Sequence, residues 1–448
     1  MIDLHHYSDP PAIGQLRDLV VTALDHGLAV ALAWTGDPGS PAFQHLSSQL
    51  LTDDSGRVFA SLKLAELVKL IARHDPGRGV TEIPKPPAMN KITLSSEEEL
   101  LIRRAFSDFK EFGLEERTQG RSGARVLFVH HLVSLGGSVR PLPYIVKIEP
   151  ITDSRTEKER YNEVVASSIP FQNRPALDLA RYVEGSTRGA LVQDFVDRVL
   201  PLWDVLESGN ASVVVSALFE GALRGCRVRR EVPPSTSRPL EEMVIGPERW
   251  GLSSLNEACD LATRLFGLTA TPGDLRQALS TLPSGEPWCF VHGDLHDKNI
   301  YVSAAAANVI LIDFREAGVG RAAMDPACLE VSLAFAYGDI IGWSLADSGP
   351  FLQSAYKYPL TPVIDTTSPS GRGWLNDAIR TIRMHALADG LAPYFYAAAV
   401  ACYLVRFASY PSTGPRANGP PERRALAYHL ADRLVAEAAK AAREALGP

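Results

Sequence analysis

Disulfide chemistry has little to work with in this chain. Its 448 residues hold five cysteines (Cys226, Cys259, Cys289, Cys328 and Cys402), scattered and with no Cys-x-x-Cys pair. The pattern argues against a disulfide frame or a cysteine zinc site and fits buried thiols in a reducing compartment. A large charge excess is lacking too. Forty-five Lys+Arg against 52 Asp+Glu leave −7, the wrong sign for a protein that holds nucleic acid through bulk charge, and nucleic acid is not expected as a partner. The opening MIDLHHYSDPP has no basic stretch followed by an apolar one, so no signal peptide is expected. Long apolar runs are scarce. The one candidate, residues 391–407 (LAPYFYAAAVACYLVRF), is short for a membrane span and carries Arg406, and it reads as a buried helix. No membrane contact and a cytoplasmic location are therefore expected. The scarcity of lysine beside arginine, with abundant Ala, Gly and Pro, hints at a GC-rich bacterial source.

What is present is the composition of a folded protein, 46% hydrophobic and 22% charged, at a length that calls for more than one core. Three blocks separate. Residues 1–88 carry helical patterns at 13–26 and 62–74, an apolar segment at 28–34 and a Pro/Gly linker, HDPGRGVTEIPKPP; they read as a small, mainly helical accessory domain. Residues 89–196 open with an N-cap signal, Ser95-Ser96 before Glu97–Glu99, for a helix expected over 98–112. Strand-like runs at 124–133 and 144–148, a helical segment around Glu157, Glu159 and Glu163, and a hairpin over 177–196 follow. That order describes a small antiparallel sheet with a helix packed on it. Residues 197–448 are mostly helical apart from one β-rich island at 289–314.

The island, PWCFVHGDLHDKNIYVSAAAANVILIDFREAG, alternates short apolar strand-like pieces with polar clusters. Polar groups at the ends of buried strands are held rigidly. Asp294 on the tight loop is suited to accept a proton from an attacking hydroxyl. Asn299 and Asp313 are hard oxygen ligands of the kind Mg²⁺ prefers, with water and phosphate completing its shell. Two carboxylates and an amide suit phosphoryl transfer, and no Gly-x-Ser-x-Gly element is there to favour acyl transfer.

His292-Gly293-Asp294-Leu295-His296-Asp297-Lys298-Asn299-Ile300, followed by Ile312-Asp313-Phe314, resembles the HGDLHxxNI…IDF signature of the aminoglycoside phosphotransferase and choline kinase-like family. The resemblance implies an α+β, bilobal protein-kinase-like fold, a small antiparallel-sheet lobe at 89–196 and a larger helical lobe at 197–448, with the N-terminal domain as an addition. It implies ATP or GTP and Mg²⁺ as cofactors, Asp294 as catalytic base and Asn299 and Asp313 as metal ligands. Lys147, in Tyr144-Ile145-Val146-Lys147-Ile148, is then the phosphate-binding lysine. Glu157 is its first-choice partner, ahead of Glu159 and Glu163, because Tyr161, Val164 and Val165 share its helical face. Gly120, Ser122, Gly123 and Ala124 stand where a phosphate-cradling loop belongs. Gln193, Asp194 and Val196 stand at the hinge, where backbone groups would meet adenine. His292 is assigned to loop architecture, with His296 and Lys298 left open. Asp325 is expected to brace the loop or meet a cationic substrate. Arg315 replaces the glycine of protein kinases, which argues against a protein-kinase activation segment.

On the acceptor the sequence is nearly silent. Glu316, Asp325 and Glu330 would favour a polyamine-like substrate, while Arg315 and Arg321 offset them. The expected activity is ATP/Mg²⁺-dependent transfer of the γ-phosphate to a hydroxyl of a small molecule. The alternative is a nucleotide-binding adaptor of a bacterial conflict-type system, since the layout also resembles kinase-like ternary-complex-associated domains. A protein partner would then bind through residues 1–88.

Overall fold

The computed structural model describes residues 2–3, 10–28, 30–33, 58–60, 92–109, 112–117, 124–131, 143–196, 199–231, 238–282, 285–303, 308–335, 344–364, 367–369, 372–388, 390–411 and 420–446, with positions 44 and 48. They fall into two compact units, Met1–Glu159 with Pro175–Asp197, and Arg160–Arg174 with Arg198–Pro448.

In the first unit, helix Pro10–Asp25 buries Leu16, Val20 and Leu24, spaced four apart on one face. It connects two short strands, β1 (Ile2–Asp3) and β2 (Val30–Ala33), which pair in parallel, and β3 (Val58–Ala60) adds on the far side of β2. The block is thus mixed α/β beside its helix. Strands of two to four residues offer too few alternations for sequence patterning to register them as a sheet. The helix expected at 62–74 and the linker after it lie outside the described residues.

The larger sheet of this unit has five antiparallel strands: β4 (Phe112–Arg117), β5 (Arg125–His131), β6 (Tyr144–Pro150), β7 (Val183–Glu184) and β8 (Arg188–Asp194), in the order β4-β5-β6-β8-β7. One face, with Leu127, Val129, Val146, Ile148, Ala190 and Val192, packs against Leu101, Ile102, Ala105 and Phe106. The helix carrying those residues, Ser96–Ala105, starts in a capping box between Ser95 and Glu98. It ends seven residues before the expected 112. Phe106, Phe109 and Phe112, three apart, mimic a helical face, but they leave the helix to build an aromatic cluster with Tyr144, over which the Arg181 guanidinium lies. Phe112 instead opens β4, a strand the sequence pattern concealed.

The second unit is mainly helical. Its described strands are β9 (Val199–Pro201), β10 (Trp288–Val291), β11 (Ile300–Ser303), β12 (Val309–Leu311) and β13 (Gly318–Arg321), forming a β12-β11-β9 sheet and a β10-β13 ribbon. Helices Met324–Phe335, Pro393–Ala408 and Pro421–Leu446 supply much of the core. Buried arginines satisfy carbonyls at helix ends: Arg423 donates to Phe335 and Arg424 to Ala408. Within this core Glu330 accepts from Arg383 at 2.7 Å and from the Tyr396 hydroxyl at 2.7 Å. The apolar run at 391–407 forms the buried helix expected, and among the described residues no helix is long and apolar enough to cross a membrane.

Candidate active site

Strand alternation places Lys147 on the face of the five-stranded sheet opposite its hydrophobic core, because Val146 and Ile148 take the core side. Helix Ile151–Arg160 follows β6 directly and presents Glu157, 1% exposed, to that face. The Glu157 carboxylate stands 2.6 Å from Lys147 Nζ. Glu163 lies 3.8 Å from Arg160 instead, and Glu159 is exposed. A second carboxylate, Glu149, two residues along the same strand, stands 3.2 Å from Nζ. The sequence reading missed Glu149, although the period-two rule applied to β6 would have found it.

Of the loop residues, Gly120, Ser122 and Gly123 lie outside the described residues. Ala124, buried, immediately precedes β5, and the β4–β5 connection is residues 118–124. Gln193 pairs with Ile145, so its side chain shares the Lys147 face, whereas Asp194 pairs with Tyr144 on the opposite face. The Asp194 N–H donates to the Ala176 carbonyl at 3.0 Å. That amide is spent inside the unit. Val196 follows the strand, half-buried.

In the second unit, β10 delivers the chain into the His292–Ile300 loop. Gly293 has φ 82°, and a Cβ there would lie 2.2 Å from the Glu316 carbonyl, so only glycine fits. Asp325, at the start of helix Met324–Phe335, accepts from the His292 N–H at 2.7 Å and the Gly293 N–H at 3.0 Å. Bracing is therefore its part in this geometry. Burial raises its carboxyl above the usual range, with His292 and the two amides working the other way. His292 Nε2 pairs with the Ile312 carbonyl at 3.0 Å, tying the loop to the end of β12, as its assignment to loop architecture requires.

Asn299 Nδ2 donates to the Asp294 carbonyl at 2.9 Å, and the Ile312 N–H donates to the Asn299 carbonyl at 3.1 Å. These bonds bring Asp294, Asn299 and Asp313 into one neighbourhood. Donation through Nδ2 leaves Oδ1 as the Asn299 side-chain atom that could hold a cation. Asp313 has φ 62°, the left-handed region that an acidic side chain tolerates better than most. No group of three or more His, Cys, Asp or Glu able to hold a metal occurs among the described residues. One amide oxygen and one carboxylate therefore fit Mg²⁺ held jointly with phosphates, and not an all-protein cage.

The Asp294 carboxylate has a partner that sequence reading did not find. Arg406, near the end of helix Pro393–Ala408, donates to its Oδ1 at 2.9 Å, and His296 Nε2 lies 3.6 Å from Oδ2. Burial pushes the Asp294 carboxyl up, but Arg406, His296, His292 and Arg315 together outweigh it and hold it below its ordinary range. Burial lowers His296, against the pull of Asp294. Lys298 is exposed. A surface hollow of about 600 Å³ lined by Pro362, Val363, Ile364, Asn376, Asp377 and Arg380 includes none of these loop residues.

Residues 133–339 match the phosphotransferase enzyme family. No curated protein matches the sequence. Among solved structures, the chain is similar to an aminoglycoside phosphotransferase of Streptomyces rimosus at 19% identity, over 60% of this chain and 92% of that one, with a TM-score of 0.32. That protein has also been solved with ADP and streptomycin. Similarity to an ethanolamine kinase of Plasmodium vivax is 10% identity over 77% and 87% of the two chains, with a TM-score of 0.38. Residues 133–339, just under half of the chain, are thus similar to the phosphotransferase enzyme family, in keeping with the resemblance that the His292–Phe314 motifs carry.

Proposed function

We propose that the chain transfers the γ-phosphate of ATP to a hydroxyl of a small molecule, with residues 89–196 as the nucleotide-binding lobe and 197–448 as the catalytic lobe. The observation that carries this reading is the His292–Ile300 loop, in which Asn299 is tied to Asp294 and, through the Ile312 N–H, to the segment after β12 that carries Asp313. Asp294 accepts the proton of the acceptor hydroxyl as its oxygen bonds to the γ-phosphorus and the bond to the β–γ bridging oxygen breaks, releasing ADP. Asn299 and Asp313 hold Mg²⁺, which supplies neutralisation of the phosphate charge. Lys147, steadied by Glu157 and Glu149, holds ATP phosphates. Gly120, Ser122, Gly123 and Ala124 are assigned to contacting those phosphates. Residues 1–88 take no part in the chemistry and are assigned to binding a partner.

The test is thermal unfolding with ATP or GTP, each with and without Mg²⁺, on wild type and Asp313→Ala. A ligand that binds only the folded state raises the melting temperature with its concentration over Kd. The expected result is a Mg²⁺-dependent rise with ATP that Asp313→Ala removes. A wild type that no nucleotide stabilises would end the reading.

A further inference from the structure

Of the three acidic residues that would recommend a polyamine acceptor, two are closed to any ligand. Glu330 is fully buried and closed off by Arg383 and Tyr396. Asp325 spends both carboxylate oxygens on the His292 and Gly293 amides. Glu316 accepts from Arg315 at 3.3 Å. Polycation recognition depends on carboxylates that face the ligand; Glu330 and Asp325 have no oxygen left to do so, and Glu316, though exposed, carries the Arg315 guanidinium beside it.

The charge beside the base has the opposite sign. The acceptor hydroxyl must approach Asp294 within hydrogen-bond distance to lose its proton. On one carboxylate oxygen it meets the Arg406 guanidinium at 2.9 Å, and Arg315 lies near enough to act on the same carboxylate. Arg406 is itself held in place. Its helix is packed into the core, and its guanidinium lies 5.9 Å from the Tyr403 ring. An arginine cannot shed its charge to accommodate a cation. As Asp294 takes up the proton its carboxylate no longer offsets Arg406, and an ammonium group on the carbon next to the reacting hydroxyl would then sit against a fixed positive charge, in surroundings that screen it poorly.

We infer that the acceptor of this site is a neutral or anionic alcohol, and that Arg406 turns away acceptors carrying ammonium groups close to the reacting hydroxyl. The inference rests on the phosphotransferase reading, and it runs against an aminoglycoside as substrate. A carboxylate or phosphate near the hydroxyl suits it best, because guanidinium pairs with either by charge-assisted hydrogen bonds.

The experiment measures ADP release from Mg²⁺-ATP by the full chain, with water alone and then with gluconate, sorbitol and glucamine. These share one six-carbon polyol skeleton and carry negative, zero and positive charge. Streptomycin is added as a polycation. The expected result is a rate raised above the water rate by gluconate or sorbitol and left unchanged by glucamine and streptomycin. In Arg406→Gln, the ratio of the glucamine rate to the gluconate rate should rise about tenfold, as expected for removing one close charge. A greater stimulation by either cation than by gluconate overturns the inference. So does an equal response to all three charges, and so does an Arg406→Gln profile that matches wild type. Failure of the underlying reading looks different: neither ADP release nor nucleotide stabilisation would occur in wild type under any condition.

Discussion

Gly293 shows how much a single position can decide. Its φ of 82° and the 2.2 Å gap to the Glu316 carbonyl leave no place for a Cβ. Gly293→Ala should lower stability by about 1–3 kcal/mol, the range for backbone strain of this kind, and shift Asp294 away from its partners. Chemical denaturation with parallel ADP-release assays checks both effects; unchanged stability would refute the close approach. Glu286 is a second informative residue. Burial pushes its carboxyl up to about 8 from 4.5, with Arg321 opposing. The unfolded chain releases this proton near 4.5 while the folded chain keeps it to about 8. The unfolded state therefore binds fewer protons in that window, and stability falls as pH rises through it. Glu286→Gln should flatten the decline by at least about 1 kcal/mol between pH 5 and pH 8, measured by urea unfolding at each pH. An identical slope in both proteins would refute it.

At the scale of elements, local signals were legible wherever a few neighbouring residues decide the outcome. Ser95 and Glu98 announce the start of helix Ser96–Ala105, and the structure forms the capping box they imply. Ser95→Ala should therefore cost about 1 kcal/mol, read as a lowered denaturation midpoint. No change would mean that the cap carries no weight. The end of the same helix was not legible. Phe106, Phe109 and Phe112 keep helical spacing, and only their packing on Tyr144 and Arg181, from distant strands, draws them out of it. The island behaved like the helix start, since its strands and loop lie within a few dozen residues of one another. β13 escaped notice because Gly318–Arg321 carries two glycines and reads as a turn until β10 pairs with it.

Across the whole molecule, the limit of sequence reading was sequence separation. The motif from His292 to Asp313 could be read as a phosphoryl-transfer loop because its spacing is local. The Lys147–Glu157 contact, ten residues apart, could be proposed from helical phase. Arg406 stands 112 residues from Asp294, on a helix whose sequence signals only burial, and no pattern in the chain links the two. The same holds for Glu330, which the sequence offers as negative charge near the site and which the core instead pairs with Arg383. Residue types therefore pointed to phosphoryl transfer, while the partners that surround Asp294 were set by tertiary packing.

The central claim is that Asp294 is the base of a phosphotransferase. The most direct measurement compares ADP release from Mg²⁺-ATP by wild type and Asp294→Asn, with thermal stabilisation by the same nucleotide followed in parallel. The account predicts a loss of at least about 10²-fold in turnover, the scale of general-base catalysis, with nucleotide stabilisation retained. Equal turnover in the two proteins would contradict it.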